Sequence, residues 1–223
     1  MREARRFWDT VWVVIDGSTD GSAKAAQAEE GFRIIELADN SGKGAAVEAA
    51  FREAVREGFT HALVMDADGQ HAANSIPEVM RLSQENPGCL IAGMPVFGPD
   101  APLERVRGRM VGNSLALLET LGRGAKDSLF GFRVYPIAAA LTVFDATRSG
   151  RRFDFDTVLA VRLAWAGVPT INVPVPVCYP PKASGGVTHF RYLRDNLLLA
   201  RTHAGLFLRM ASHIPRLLKL PCR

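Results

Sequence analysis

Apolar and polar positions along the first hundred residues switch repeatedly between two periods. Residues 11–15 are a β-branched apolar run that stops at the dense turn Asp16-Gly17-Ser18-Thr19-Asp20-Gly21. The Ala-rich residues 22–30 then take up helical spacing, with Ser22 or Asp20 as the cap. A second strand is predicted over 32–37 and a loop over 38–42. From 43 to 57, Ala46, Val47, Ala50, Phe51, Ala54 and Val55 recur on one face of a helix and Glu48, Arg52, Glu53 and Arg56 on the other. A strand over 61–65, a helix over 75–85 with Pro77 in its first turn, and a strand over 89–92 follow. Strands alternating with helices predict the α/β class: crossover connections and a mostly parallel sheet flanked by helices.

The second half is less regular. The pattern predicts helices over 104–121, 137–148 and 156–166, with a short strand over 132–135. Residues 168–177 are extended and carry Pro169, Pro174 and Pro176, which suits an edge strand. The Pro/Gly-rich residues 179–186 read as a mobile lid. From 189 onward a helix is expected with Phe190, Leu193, Leu197, Ala204 and Leu208 along one side. No internal repeat interrupts this order. We expect one domain over 1–187 and a basic amphipathic segment over 188–223.

Composition narrows the classes. With 48% hydrophobic and 22% charged residues the chain is neither disordered nor fibrous. Its net charge of +4 and pI near 9.2 predict a mildly basic surface, which alone does not choose between nucleic acid, anionic lipid and phosphate-bearing small molecules. Three scattered cysteines make no disulfide framework, which fits a reducing, cytoplasmic compartment. No signal peptide precedes residue 10, and no apolar run is long enough to span a bilayer.

The richest chemistry lies at residues 62–71, where four apolar residues end in Asp66 and Asp68, followed by Gln70 and His71. Ligands of open α/β sheets bind beyond the carboxyl ends of strands, and two carboxylates there would repel without a cation between them. Mg²⁺ or Mn²⁺ suits such hard oxygen donors and shares its sphere with substrate phosphates. The plainer alternative is a solvated acidic turn. The turn at Asp16 opens a helix, so it is either an anion cradle or an ordinary helix entry. Asn40-Ser41-Gly42-Lys43-Gly44 is not a P-loop, since Leu37 replaces its first glycine and Gly44 its Ser/Thr.

In this order the segments 13–21, 40–46, 65–71, 127–133 (Asp127-Ser128-Leu129-Phe130-Gly131-Phe132-Arg133), 153–156 (Phe153-Asp154-Phe155-Asp156) and 167–177 resemble family 2 glycosyltransferases of the GT-A fold. The closest subgroup is the dolichyl- and polyprenyl-phosphate sugar synthases. The resemblance implies inverting transfer of a sugar from a nucleotide-sugar donor to a lipid-linked acceptor such as polyprenyl phosphate, or to a glycan, with no nucleic-acid partner. It further implies that Asp66, Asp68 and Gln70 hold Mg²⁺ or Mn²⁺ against the diphosphate, with Asp68 also counted among the catalytic residues. Asp16, Gly17, Ser18 and Asp20 would contact the nucleotide, and Lys43 would stand near the donor. Arg133 would face phosphate. Asp127, Asp154 and Asp156 would orient or deprotonate the acceptor, or else serve as helix caps and ion-pair partners of Arg151 or Arg152.

Two departures from that pattern stand out. Ile15 replaces the first of a usual acid pair, and the family's opening strand with its Pro-x-Tyr-Asn-Glu-like loop does not appear before residue 8. That strand lies beside the run at 11–15, so the chain reads as an N-terminally truncated form with weakened donor binding. The segment 188–223 carries Arg191, Arg194, Arg201, Arg209, Arg216 and Lys219 against Asp195 alone before its last residue, Arg223. It either lies on an anionic membrane at the cytoplasmic face or packs on the domain. Two rival functions remain: a haloacid-dehalogenase-like phosphotransferase with Asp66 as nucleophile, and an impaired glycosyltransferase remnant acting as a membrane-associated scaffold.

Overall fold

The computed structural model describes residues 1–98, 103–177 and 192–221, with side chains from 108 in the second stretch and from 197 in the third. In chain order the elements are α1 (Arg2–Arg5), β1 (Trp12–Asp16), α2 (Ser22–Gln27), β2 (Arg33–Leu37), α3 (Lys43–Arg56), β3 (His61–Val64), α4 (Ile76–Glu85) and β4 (Leu90–Val96). They continue with α5 (Leu103–Glu119), β5 (Arg133–Pro136), α6 (Ile137–Asp145), α7 (Phe155–Ala166), β6 (Thr170–Pro176), α8 (Tyr192–Met210) and α9 (Ile214–Leu217). The expected lid at 179–186 lies outside the described residues.

Strands β3, β5, β4 and β6 form one sheet in that order, and β1 pairs with β2 in another. Along β3, Ala62 and Val64 point to one core while Leu63 and Met65 point to the other, as the two-residue repeat of a strand requires. On the first face α3, α6 and α7 pack through Phe51, Phe144, Phe155 and Leu159. Each such side chain, once buried, contributes about 1.5–3 kcal/mol. On the second face lie Ala4, Ile76 and Val79 of α1 and α4, with Phe130 and Phe132. The result is a sheet covered on both sides.

The sheet is mixed rather than mostly parallel. β1–β2 and β4–β6 are parallel, but β5 runs antiparallel to both β3 and β4. An apolar run buried on both faces carries no mark of strand direction, so the pattern could not show this. β6 pairs only with β4 and is an edge, where the missing N–H groups of Pro174 and Pro176 break no second ladder. β1 pairs with β2 alone, so one edge of β1 has no ladder partner among the described residues.

The C-terminal helix buries a different face from the expected one. His203 and Leu206 turn inward, whereas Leu197 and Leu208 are 61% and 87% exposed and Ala204 also faces out. Leu206 joins Ala116 of α5, Val161 and Trp165 of α7, and Leu217 of α9 in a third apolar cluster. His203 Nδ1 meets Glu119 Oε1 at 2.8 Å inside that contact.

Glycines in the 40–46 motif serve packing. The segment 150–152 lies directly on the start of α3, where Ala45 N–H donates to the Arg151 carbonyl at 3.0 Å. A Cβ on Gly44 would run into the Gly150 carbonyl oxygen, and one on Gly42 would come within 2.7 Å of the Arg151 oxygen. Both obstacles are backbone. Gly44→Ala is therefore expected to destabilise the protein by about 1–3 kcal/mol, read as a lower urea midpoint with unchanged slope. An unchanged midpoint would show that the 150–152 segment yields freely.

Candidate active site

The chain leaves β3 at Val64 and turns through Gly69, whose φ of 77° is the left-handed conformation a glycine adopts without strain. The Asp68 carboxylate accepts the Gln70 N–H at 3.0 Å, which fixes the turn and leaves Asp68 exposed. The Asp66 N–H donates to His71 Nδ1 at 3.0 Å. His71 Nδ1 is thus the acceptor, and Nε2 faces the Asp66 carboxylate at 3.9 Å. The His71 ring sits edge-on to Phe130 and Phe132, with centroids 4.7 and 5.5 Å away. Burial outweighs the nearby carboxylates and lowers its pKa, so His71 is neutral near pH 7.

Lys43, the first residue of α3, reaches into this turn. Its ammonium stands 2.6 Å from Asp66 Oδ1 and 2.7 Å from Asp156 Oδ2. Gly131 makes room for the bridge, because a Cβ there would be 2.6 Å from Lys43 Nζ. Burial opposes the charged Lys43, yet the two carboxylates raise its pKa above the ordinary value. Burial likewise works to raise Asp66, but Lys43 and then His71 hold it below the usual aspartate value. The second oxygen of Asp156, Oδ1, is buried and without a hydrogen-bond partner.

A cavity of about 60 Å³ opens beside these groups, lined by Asp66, Asp68, Gln70, His71, Arg109 and Gly131 among others. Arg109 of α5 is the group that sequence reasoning missed. Its guanidinium lies near Phe97 and Phe130, 5.7 and 5.9 Å from their centroids. Through Nη2 and Nε it grips Asp127 at 2.7 and 3.2 Å, and Asn113 adds a third bond at 2.9 Å. Burial pushes Asp127 up, and the Arg109 hydrogen bonds more than reverse this. The helical pattern of α5 was legible, but nothing in it set Arg109 apart from its neighbours.

Other expected site residues lie elsewhere. Arg133 does not face the cavity: it is fully buried, donating through Nη2 to the Asp127 carbonyl at 2.9 Å and through Nη1 to the Asp156 carbonyl. It ties two site loops together from beneath. Asp154 accepts the Gly150 and Arg152 amides, a turn-closing role, and the Arg152 side chain is not its partner. Asp16 spends both carboxylate oxygens on the Ser41 and Gly42 amides, each at 2.7 Å, so it holds the entry to α3. Gly17 is pressed against the backbone at Asn40, Ser18 is exposed, and Asp20 caps Ser22 at 3.0 Å. None of these four lines the cavity.

The donor set fits a divalent ion held mainly by substrate. Among the described residues no three His, Cys, Asp or Glu side chains converge into a ready-made cage. One exposed carboxylate, Asp68, with the Gln70 amide beside it, matches an ion that keeps waters and takes phosphate oxygens.

Comparison with known proteins bears on this arrangement. No curated protein is significantly similar in sequence. Glucosyl-3-phosphoglycerate synthase from Mycobacterium tuberculosis, in complex with phosphoglyceric acid, is similar in structure, with a TM-score of 0.59 and 14% identity over 90% of this chain and 68% of that one. The same protein with Mn²⁺, uridine diphosphate and glucosyl-3-phosphoglycerate gives 0.56 and 16%, covering 92% and 69%. Its complex with Mn²⁺ and UDP-glucose gives 0.50 and 16%, covering 90% and 67%. At these identities the likeness shows the GT-A fold. The sequence model of glycosyl transferase family 2 matches residues 7–144, more than half of the chain. The chain therefore belongs to glycosyl transferase family 2.

Proposed function

We propose that this glycosyltransferase passes its sugar to an anionic phosphate acceptor, polyprenyl phosphate, at a membrane surface. One observation carries the reading: the three carboxylates expected to serve as a base, Asp127, Asp154 and Asp156, already have partners. Asp127 is held by Arg109 and Asn113, Asp156 by Lys43, and Asp154 by backbone amides. A hydroxyl acceptor needs a base to take its proton. A phosphate oxygen is already charged and needs none. It attacks the anomeric carbon directly while the nucleoside diphosphate leaves from the opposite side, giving inversion.

Asp68 and Gln70 would hold Mg²⁺ or Mn²⁺, with Asp66 beside them. Such an ion supplies Lewis-acid neutralisation of the leaving diphosphate. Lys43 holds the Asp66 and Asp156 carboxylates in place and favours the charged form of Asp66. Arg109 lines the cavity and, with Nη2 and Nε spent on Asp127, has Nη1 left to offer an acceptor phosphate oxygen. His71, neutral and wedged against two phenylalanines, sets the turn.

The similarity to a structure holding phosphoglyceric acid favours a second reading, a small phosphorylated acceptor. Mass spectrometry separates the two after incubation with Mn²⁺, a panel of nucleotide sugars and either detergent-dispersed polyprenyl phosphate or phosphoglyceric acid. Transfer to the lipid is expected, and transfer to phosphoglyceric acid alone would overturn the proposal.

Among the described residues no helix is long and apolar enough to cross a membrane. The exposed side of α8, with Leu197, Arg201 and Leu208, suits peripheral contact instead. The protein should bind vesicles containing anionic lipid more tightly than neutral ones. High salt should erase the difference, since screening acts within about 10 Å at 0.1 M. Equal binding to both vesicles would leave α8 as a packing helix only.

A further inference from the structure

Charge is unevenly shared along the chain. Residues 157–223 hold nine Lys and Arg against the single acid Asp195, a net +8 in a protein whose total is +4. In the first part most arginines are matched: Arg2, Arg33, Arg52, Arg81 and Arg109 each reach a carboxylate. Among the described residues of the last part they are not.

Three of these arginines, Arg162, Arg209 and Arg216, meet His213 where α7, α8 and α9 join, around Trp165. The His213 ring stacks on the Trp165 indole, with centroids 4.5 Å apart and planes 9° from parallel. Arg162, one turn before Trp165 on α7, has its guanidinium 6.0 Å from the same ring. The stem of Arg216 crosses the C-cap of α7, its Cδ 3.5 Å from where a Gly167 Cβ would stand. Arg209 comes from the last turn of α8.

Among the described residues none of the four side chains donates a hydrogen bond or meets a carboxylate, and Arg162 Nε is buried with no acceptor. Burial and then Arg209 depress Arg162, while burial, Arg216 and Arg162 depress His213. The carboxyl end of α7 offers about half an elementary negative charge, too little to balance three guanidinium groups. Apolar packing thus holds these bases in place while their N–H donors stay open.

We propose that Arg162, Arg209, His213 and Arg216 form a phosphate-binding site separate from the transferase cavity. Its ligand is a phosphate ester anion, from either a lipid headgroup or a soluble phosphorylated molecule. Guanidinium forks match phosphate oxygens in pairs, and a flat site is open to both sources. Leu208 and Leu218, 87% and 59% exposed beside Arg209 and Arg216, suit the headgroup.

The test follows Arg Nε and His ring resonances of the ¹⁵N-labelled protein during titration with inorganic phosphate at constant ionic strength. Saturable shifts at Arg162, Arg209 and His213 are expected, with affinity roughly ten-fold weaker in the double variant R162Q/R209Q. Thermal melting checks that the variant folds. If it does not, R209Q alone, at an exposed position, replaces it. Preference for phosphatidylglycerol-containing over pure phosphatidylcholine vesicles, lost in the variant and competed by phosphate, would assign the headgroup. Phosphate binding without that preference would assign a soluble ligand. Shifts that do not saturate, or that persist unchanged in the variant, would overturn the site. Failure of sugar transfer would leave this result untouched, since none of the four residues lines the cavity.

Discussion

Lys43→Met is expected to destabilise the protein by about 2–4 kcal/mol, to reverse the sign of its pH dependence, and to reduce transfer more than 100-fold. The magnitude follows from exposure. Breaking a fully buried pair costs about 3–5 kcal/mol and an exposed one about 0–1 kcal/mol. Here Lys43 is 27%, Asp66 37% and Asp156 8% exposed, so one ammonium shared by two carboxylates falls between those limits. The pH effect follows from linkage. In the native protein Asp66 is held below its unfolded value, so its contribution is complete above about pH 4 and fades as pH falls through the depressed pKa. Without Lys43 the part-exposed Asp66 and the buried Asp156 lose the ammonium they share, and the neutral form of one is favoured. Its folded pKa then exceeds the unfolded one, and stability rises as pH falls from about 7 toward 5. Urea midpoints for both proteins across that range decide the matter. Parallel curves would mean that Lys43 is not the counter-ion of the site. The rate loss is read from kcat/KM on the folded fraction.

Much of this architecture was written in local pattern. The β-branched run at 11–15, the apolar run ending at 65 and the helical pattern over 43–57 became β1, β3 and α3 within a residue or two. These features depend on neighbours along the chain. Strand direction does not: β5 runs against both of its partners, and an apolar run does not record which way a strand points. The face of α8 was misread for a related reason. Leucines at 197, 198, 199, 206 and 208 surround the helix, so no single apolar stripe exists. What selects the buried side is His203, which meets Glu119 from α5, 84 residues earlier.

The site shows the same division. Asp66, Asp68 and Gln70 were legible because an apolar strand ends abruptly at acids. The bridge from Lys43 to Asp156 spans 113 positions and no spacing rule reaches it. Gly42 and Gly44 belong to a segment that the spacing already excluded as a P-loop, and their reason, the 150–152 segment lying on them, is a distant one. Arg133 and Arg109 exchanged roles. The Gly-Phe-Arg segment drew attention to Arg133, whose guanidinium is spent on two carbonyls, while Arg109, one of several arginines in α5, is the one lining the cavity. Distant contacts decide which cation reaches the cavity, and one sequence does not display them.

Asp68→Asn is expected to lower metal-dependent transfer by roughly 10²–10³-fold, about 3–4 kcal/mol of barrier, while leaving the fold intact. Folding should be spared because Asp68 is exposed and an Asn oxygen can still accept the Gln70 N–H that closes the turn. What the variant loses is the only formal negative charge of the turn that no protein cation covers, since the Asp66 carboxylate already pairs with Lys43. An ion bound mainly by diphosphate oxygens, with one protein carboxylate to hold it, should depend steeply on that carboxylate. Mn²⁺ titration in the presence of uridine diphosphate, followed by electron paramagnetic resonance, should show weaker binding in the variant. Its thermal midpoint should match that of the parent. Glutamate at the same position, with the charge restored one methylene further out, should recover part of the Mn²⁺ affinity and less of the rate, because charge is regained but position is not. If Asp68→Asn turned over at the parental rate, or if the parent were fully active in EDTA, the ion would have to be held elsewhere or not at all.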